Sequence, residues 1–259
     1  MQSIPRWADN IWRKLVFFSG DIRTLSAFPW VTWADHEHLV DFAELMEALP
    51  LIRYGDVGLH RDKGYFSNLA IPGFLKHAWV HTVDWRDSPI TPNPTIVEAV
   101  SEGVLKRSAF YPMLSDYVII LAPKNVTEED RKGACVKANE IVGNQYDIYF
   151  EFDIEKELQY YQGKQTEEAS KDLEQGQQWL QNYDHGFSCT EVASFCWWHK
   201  REALRLYRSL HRGKNVILAD TFLNGGWEIR WMSQSVTVDV ARKMGLHEEG
   251  LAMIEKYRR

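Results

Sequence analysis

Cys189 and His77 are the two side chains whose types and settings best suit covalent chemistry. Cys189 stands in Gly186-Phe187-Ser188-Cys189-Thr190-Glu191-Val192, where an aromatic lead-in breaks at small polar residues and opens into a helix-like run over 191–200. The spacing puts the thiol on the first turn of a helix. Unpaired N–H groups and the positive end of the helix dipole gather there, favouring thiolate over thiol and offering donors to a developing oxyanion. A nucleophile of this kind needs a base. His77, far upstream in Ile71-Pro72-Gly73-Phe74-Leu75-Lys76-His77-Ala78-Trp79-Val80, opens a strand-like segment and fills that need. His81 is its rival, because residues four apart on a strand share a face.

The elements around these residues follow from patterning. Tyr54-Gly55-Asp56-Val57-Gly58-Leu59 reads as a turn into a strand, 77–83 as a buried strand and 95–100 as another. Residues 116–121 are nearly all apolar and predict a central strand. Thr127, with Asp130 three positions on, resembles a capping box, and the helix it starts runs to about 142 before Gly143 stops it. Cys135 lies mid-helix and reads as core. Residues 144–153 alternate aromatic and acidic side chains and suit an extended edge. About 155–185 reads as a Glu/Gln/Lys-rich helical insertion that shapes or covers a cleft. After the Cys189 helix, the basic run 200–212 reads as a solvated helix face, 216–218 and 227–231 as strands, and 236–257 as a helical tail broken at Gly245. Cys196, farther along the Cys189 helix, reads as a small buried hydrophobe. Ahead of all this, 1–53 forms an aromatic-rich extension with a short helix over 41–49 that Pro50 closes.

Taken in order, Gly55-Asp56-Val57, Ile71-Pro72-Gly73-Phe74-Leu75-Lys76-His77-Ala78, Ile96-Val97-Glu98-Ala99-Val100 with Gly103-Val104, Gly143-Asn144-Gln145-Tyr146-Asp147 and Phe187-Ser188-Cys189-Thr190-Glu191-Val192 resemble the circularly permuted papain-like hydrolases of the YiiX and YaeF type. These are relatives of the NlpC-type cell-wall peptidases. The histidine strand precedes the cysteine helix in that family, and it does so here. Thr190 stands where the family commonly has Ser, and the insertion after Asp153 is long.

The resemblance implies an α+β papain-like domain over 54–235, a small antiparallel sheet or partial barrel packed on the Cys189 and Thr127 helices, with helical extensions at 1–53 and 236–259. It implies Cys189 as nucleophile, His77 as general base and then acid, and Glu98 as the carboxylate that orients the imidazole. Asp84 and Glu102 are neighbouring alternatives to Glu98. Ser188 and Tyr146 are weaker candidates for oxyanion or substrate contacts, and Glu191 reads as a first-turn carboxylate. The expected activity is hydrolysis of an amide or ester through an acyl-enzyme, on a cell-wall peptide or an acyl-lipid. The other reading is a non-catalytic interaction protein of a larger assembly built on the same scaffold.

Composition narrows the classes further. The 259 residues are 45% hydrophobic and 25% charged, with a net charge of −6, which argues against a nucleic-acid partner. Three cysteines without metal-ligand spacing speak against a disulfide framework or a zinc ribbon. His36 and His38, alternating in a charged stretch, read as a solvated turn rather than metal ligands, and no cofactor is expected. No stretch has the pattern of a secretory signal or a membrane span, so the expectation is a chain made in the cytoplasm that acts outside only if delivered. Of the eleven tryptophans, Trp7, Trp12, Trp30 and Trp33 crowd the start. They are expected to wrap onto the main domain, with a protein partner as the alternative occupant.

Overall fold

The computed structural model describes residues 22–24, 30–32, 37–65, 68, 71–83, 95–147, 186–211 and 214–259. The insertion expected over about 155–185 and most of the early aromatic residues lie outside them. In chain order, β1 (Arg23–Thr24) and β2 (Val31–Thr32) form a two-stranded ribbon, and α1 (Phe42–Ala48) follows. Asp41 caps α1 by accepting from the Glu44 amide at 2.8 Å, and a 3-10 turn through Pro50 ends it.

The main sheet is built from β3 (Val57–Arg61), β4 (His77–His81), β5 (Thr95–Val100), β6 (Gly103–Ser108), β7 (Tyr117–Pro123) and β10 (Trp227–Met232), in the spatial order β10-β7-β3-β4-β5-β6. Every neighbouring pair is antiparallel. The apolar run over 117–123 is buried throughout and lies inside the sheet, as its composition predicts. A short helix, α2 (Phe110–Met113), links β6 to β7.

Side-chain alternation sends the strands' residues to two faces. On one face Val57, Leu59, Ala78, Val80, Val97 and Ala99 meet α3 (Glu128–Glu140) and α4 (Cys189–Trp197) through Ala134, Ala138, Val192 and Cys196. On the other, Trp79, Ile96, Ile120 and Trp231 meet Leu45, Ala48, Leu49 and Ile52, so α1 closes the sheet's second side. Each such leucine or isoleucine contributes about 1.5–3 kcal/mol by leaving water. Thr127 and Asp130 form the expected capping box of α3.

Gly58 shows how tightly the second face is filled. A Cβ there would lie 2.0 Å from the Trp79 ring, so glycine makes room for the indole. Gly58→Ala is expected to cost about 1–3 kcal/mol by overpacking. A urea unfolding midpoint equal to that of the unsubstituted protein would contradict this.

Two sequence expectations are corrected. The run expected as a helix over 200–212 is not one in its described part, 200–211: α4 passes into a 3-10 turn over Trp198–Lys200, turns follow, and Ser209–His211 is a strand, β8, paired with β9 (Lys214–Val216). Arg205 adopts φ 55°, and its carbonyl accepts from Asn224 Nδ2 at 3.2 Å. The guanidinium groups of Arg201 and Arg208 each lie 5.3 Å from the Trp198 ring, so the arginines gather on one indole instead of spreading along a helix. The strand expected over 216–218 ends at Val216, and a 3-10 turn, Ala219–Phe222, follows. The tail forms α5 (Val238–Lys243) and α6 (Glu248–Arg258), separated at Gly245 with φ 87°.

Candidate active site

The segment feeding β4 is held before the strand begins. Asp220 accepts from the amides of Phe74 at 2.5 Å and Leu75 at 2.7 Å, and Lys76 donates its amide to the His60 carbonyl at 2.9 Å. The β4–β5 ladder covers Trp79↔Glu98, Val80↔Val97 and His81↔Ile96, leaving His77 and Ala78 ahead of the last pair. Cys189 Sγ sits against this stretch, 3.7 Å from the Lys76 carbonyl oxygen. Helix α4 therefore delivers its first residue to the opening of the strand that carries the imidazole.

Glu98 is wholly buried, and its Oε2 lies 2.5 Å from His77 Nε2. Its other oxygen, Oε1, accepts from Arg107 Nε. Two cationic partners thus neutralise one buried carboxylate, the condition under which such burial is tolerated. Burial acts to raise the Glu98 pKa, but the bonds and charges of His77 and Arg107 override it and hold the carboxyl below its ordinary value.

Cys189 and His77 perturb each other in the same sense. For His77, burial acts to lower the pKa. The Cys189 thiolate and hydrogen bond, with Glu98 behind, outweigh burial and raise it to about 10. For Cys189, burial acts to raise the pKa, while the charge and hydrogen bond of His77 and the amides of Ala78 and Thr190 bring it below its ordinary value. Each group thus favours the charged form of the other. Cys189 is 4% exposed, against 0% for Cys196.

The remaining candidates fall into place around this pair. His81 shares the face of His77, but it is buried, its Nε2 accepts from Trp79 Nε1 at 3.0 Å, and burial lowers its pKa to about 3. Its environment is that of a neutral structural imidazole. Burial raises Cys135 to about 11 and pushes Cys196 further up, leaving both as thiols. Ser188 and Glu191 form a capping box at the start of α4, with the Ser188 amide donating to Glu191 Oε2 at 2.5 Å. Tyr146 lies close enough to feel the charge of Cys189. Burial first, then that charge, hold its phenol well above the ordinary pKa, so its O–H remains a donor. Glu102 accepts from the exposed Ser101 hydroxyl at 2.6 Å, and Asp84 lies outside the described residues.

His36 is also outside the described residues, and His38 Nδ1 lies 3.4 Å from Asp62 Oδ1. Among the described residues, no group of three or more His, Cys, Asp or Glu is placed to hold a metal.

Sequence reasoning passed over Arg107 and His60. Arg107 was open to discovery: a hairpin closing at Gly103 pairs Leu105 with Glu98, and the diagonal neighbour two residues on shares Glu98's face. His60 stands directly opposite His77 in the β3–β4 ladder, a register that no local pattern specifies.

No family model matches the chain, and neither does any curated protein. Among solved structures, the crystal structure of the metalloprotein YiiX from Escherichia coli O157:H7 (DUF1105) is similar at 11% identity. The alignment covers 68% of this chain and 95% of that one, with a TM-score of 0.46.

Proposed function

We propose that the protein is a cysteine hydrolase on a circularly permuted papain-like scaffold, cleaving an amide or ester bond. The observation that carries this reading is the set Cys189, His77 and Glu98, in which the buried carboxylate lies 2.5 Å from the ring nitrogen of a histidine paired with a helix-start thiol. The Cys189 thiolate attacks the carbonyl carbon and the oxygen takes the negative charge. Amide groups at the start of α4, with the Tyr146 hydroxyl, are the donors offered to it. The tetrahedral adduct collapses as His77 gives its proton to the leaving amine or alcohol, forming a thioester. Neutral His77 then takes a proton from water, whose hydroxide attacks the thioester and expels Cys189 as thiolate with release of the acid. Glu98 keeps the ring oriented through both halves and stabilises its cationic form.

The substrate classes are a cell-wall peptide and an acyl-lipid. The resemblance to relatives of the NlpC-type peptidases favours the first, and the aromatic load favours the second. Among the described residues no helix is long and apolar enough to cross a membrane.

Iodoacetamide tests the pair without knowledge of the substrate. Near pH 6–7, roughly two units below an ordinary thiol pKa, Cys189 is expected to be carbamidomethylated while Cys135 and Cys196 are not. The expected sign at higher pH is also fixed. The imidazolium's contribution to stability is complete below the ordinary histidine value of 6.5 and is lost as pH rises through about 10. Labelling of all three thiols at equal rates, or of none, would leave the interaction-protein reading in its place. Mass analysis of muropeptide and acyl-lipid digests then names the bond.

A further inference from the structure

His60, His77 and Trp79 form a closed triangle of rings. The centroids of His60 and His77 are 4.9 Å apart with planes at 61°, those of His60 and Trp79 are 5.6 Å apart at 88°, and those of His77 and Trp79 are 6.3 Å apart at 30°. Two of the three rings are anchored without help from the His77 side chain. Trp79 is fixed by its bond to His81 Nε2 and by the space that Gly58 leaves for it. His60 is fixed by β3, where its backbone pairs with His77, and by a hydrogen bond to the Pro112 backbone. Its Nδ1 is buried and has no partner.

We propose that His60 is a positioning residue, a ring wall that prevents the His77 imidazole from turning and so keeps one nitrogen on Glu98 and the other on Cys189. This rests on the reading of His77 as the partner of Cys189, and it adds a residue that the family resemblance does not supply. An imidazole between a carboxylate and a thiolate has two useful orientations for its nitrogens and many useless ones. Hydrogen bonds alone fix the ring only while both are made, whereas packing fixes it throughout a cycle in which the proton leaves and returns. The groups that act electrostatically on His60 are Asp62, His77 and Glu98. Burial outweighs their net effect and lowers its pKa to about 4, so near neutral pH His60 is an uncharged wall beside a charged ring.

The test uses the pH dependence of Cys189 alkylation in the full chain, with thermal unfolding measured alongside. His60→Phe keeps the ring but removes both the unpartnered nitrogen and the hydrogen bond to Pro112, and is expected to retain the alkylation midpoint while its melting temperature falls. His60→Leu fills similar volume without a planar face. Its midpoint is expected to rise by about one pH unit, slowing alkylation on the acid side of the profile roughly tenfold. His60→Gln, which keeps a hydrogen-bond donor for Pro112 but no ring, is expected to follow His60→Leu and serves if the leucine variant does not fold. A purely structural role would lower the melting temperature of the Leu and Gln variants and leave the midpoint of the folded protein alone. An unmoved midpoint in a folded ringless variant overturns the proposal, as does a Phe variant shifted as far as the ringless ones. Failure of the catalytic reading itself looks different: the unsubstituted protein would then show no depressed midpoint at all.

Discussion

Cys189→Ala is expected to abolish hydrolysis, with a fall in kcat on the order of 10⁶, the scale seen when a covalent nucleophile is removed. The fold should survive. Only one sulfur leaves a position at the edge of the core, so the packing loss is about 1 kcal/mol or less, to which loss of the thiolate beside His77 adds. The same substitution has a second readout in the imidazole. The thiolate is the largest influence holding the His77 pKa up against burial, so the ring should titrate well below about 10 in the variant, with Glu98 alone supporting its charge. NMR titration of the imidazole checks this directly. Hydrolysis that persists in Cys189→Ala would remove the nucleophile from the mechanism. An unchanged His77 titration would separate the two residues even if activity were lost.

Removal of Glu98 is expected to have the other large effect, and on two properties at once. Glu98→Ala takes one buried acceptor from two donors, His77 Nε2 and Arg107 Nε. Leaving buried charge unpaired in this way costs about 3–5 kcal/mol, visible as a lower urea midpoint. Glu98→Gln keeps the shape and one acceptor oxygen but loses the charge that favours imidazolium. Its activity is expected to fall by up to roughly 10⁴, the range found when the orienting acid of a triad becomes an amide. The folded Glu98 pKa lies below the ordinary value, so its stabilising contribution is full above 4.5 and disappears as pH falls through the depressed value. Acid unfolding of the unsubstituted protein should therefore carry a component that Glu98→Gln lacks. Identical acid profiles for the two proteins would show that the carboxylate's charge is not what holds the cluster.

Much of this arrangement was legible in the residues, and the exceptions have physical causes. The helix starts at Asp41, Thr127 and Ser188 follow from short-range chemistry, a side-chain oxygen meeting amides within one turn, and each is present as a cap. Strand β7 was readable because burial on both faces leaves an apolar run. The pairing of His77 with Glu98 was implied by the family resemblance, since alternation along the strand alone left Asp84 and Glu102 as alternatives. Register was not reachable: His60 opposite His77 depends on how β3 and β4 align, which is set by the packing of Trp79 over Gly58. The 200–212 run misled because its basic residues mimic a solvated helix, while the Trp198 ring and Asn224, distant or unremarkable in sequence, decide its actual path.

The distribution of the site along the chain has a consequence for how reactivity arises. His77, Glu98 and Arg107 all belong to strands lying within residues 57–123, whose ladders close on one another without any residue beyond 123. Cys189 comes later, and its acidity is lowered only by groups that those strands and its own helix supply. The sulfhydryl is therefore dormant wherever those strands are unformed, and the reactive anion is a property of the tertiary structure rather than of the local sequence.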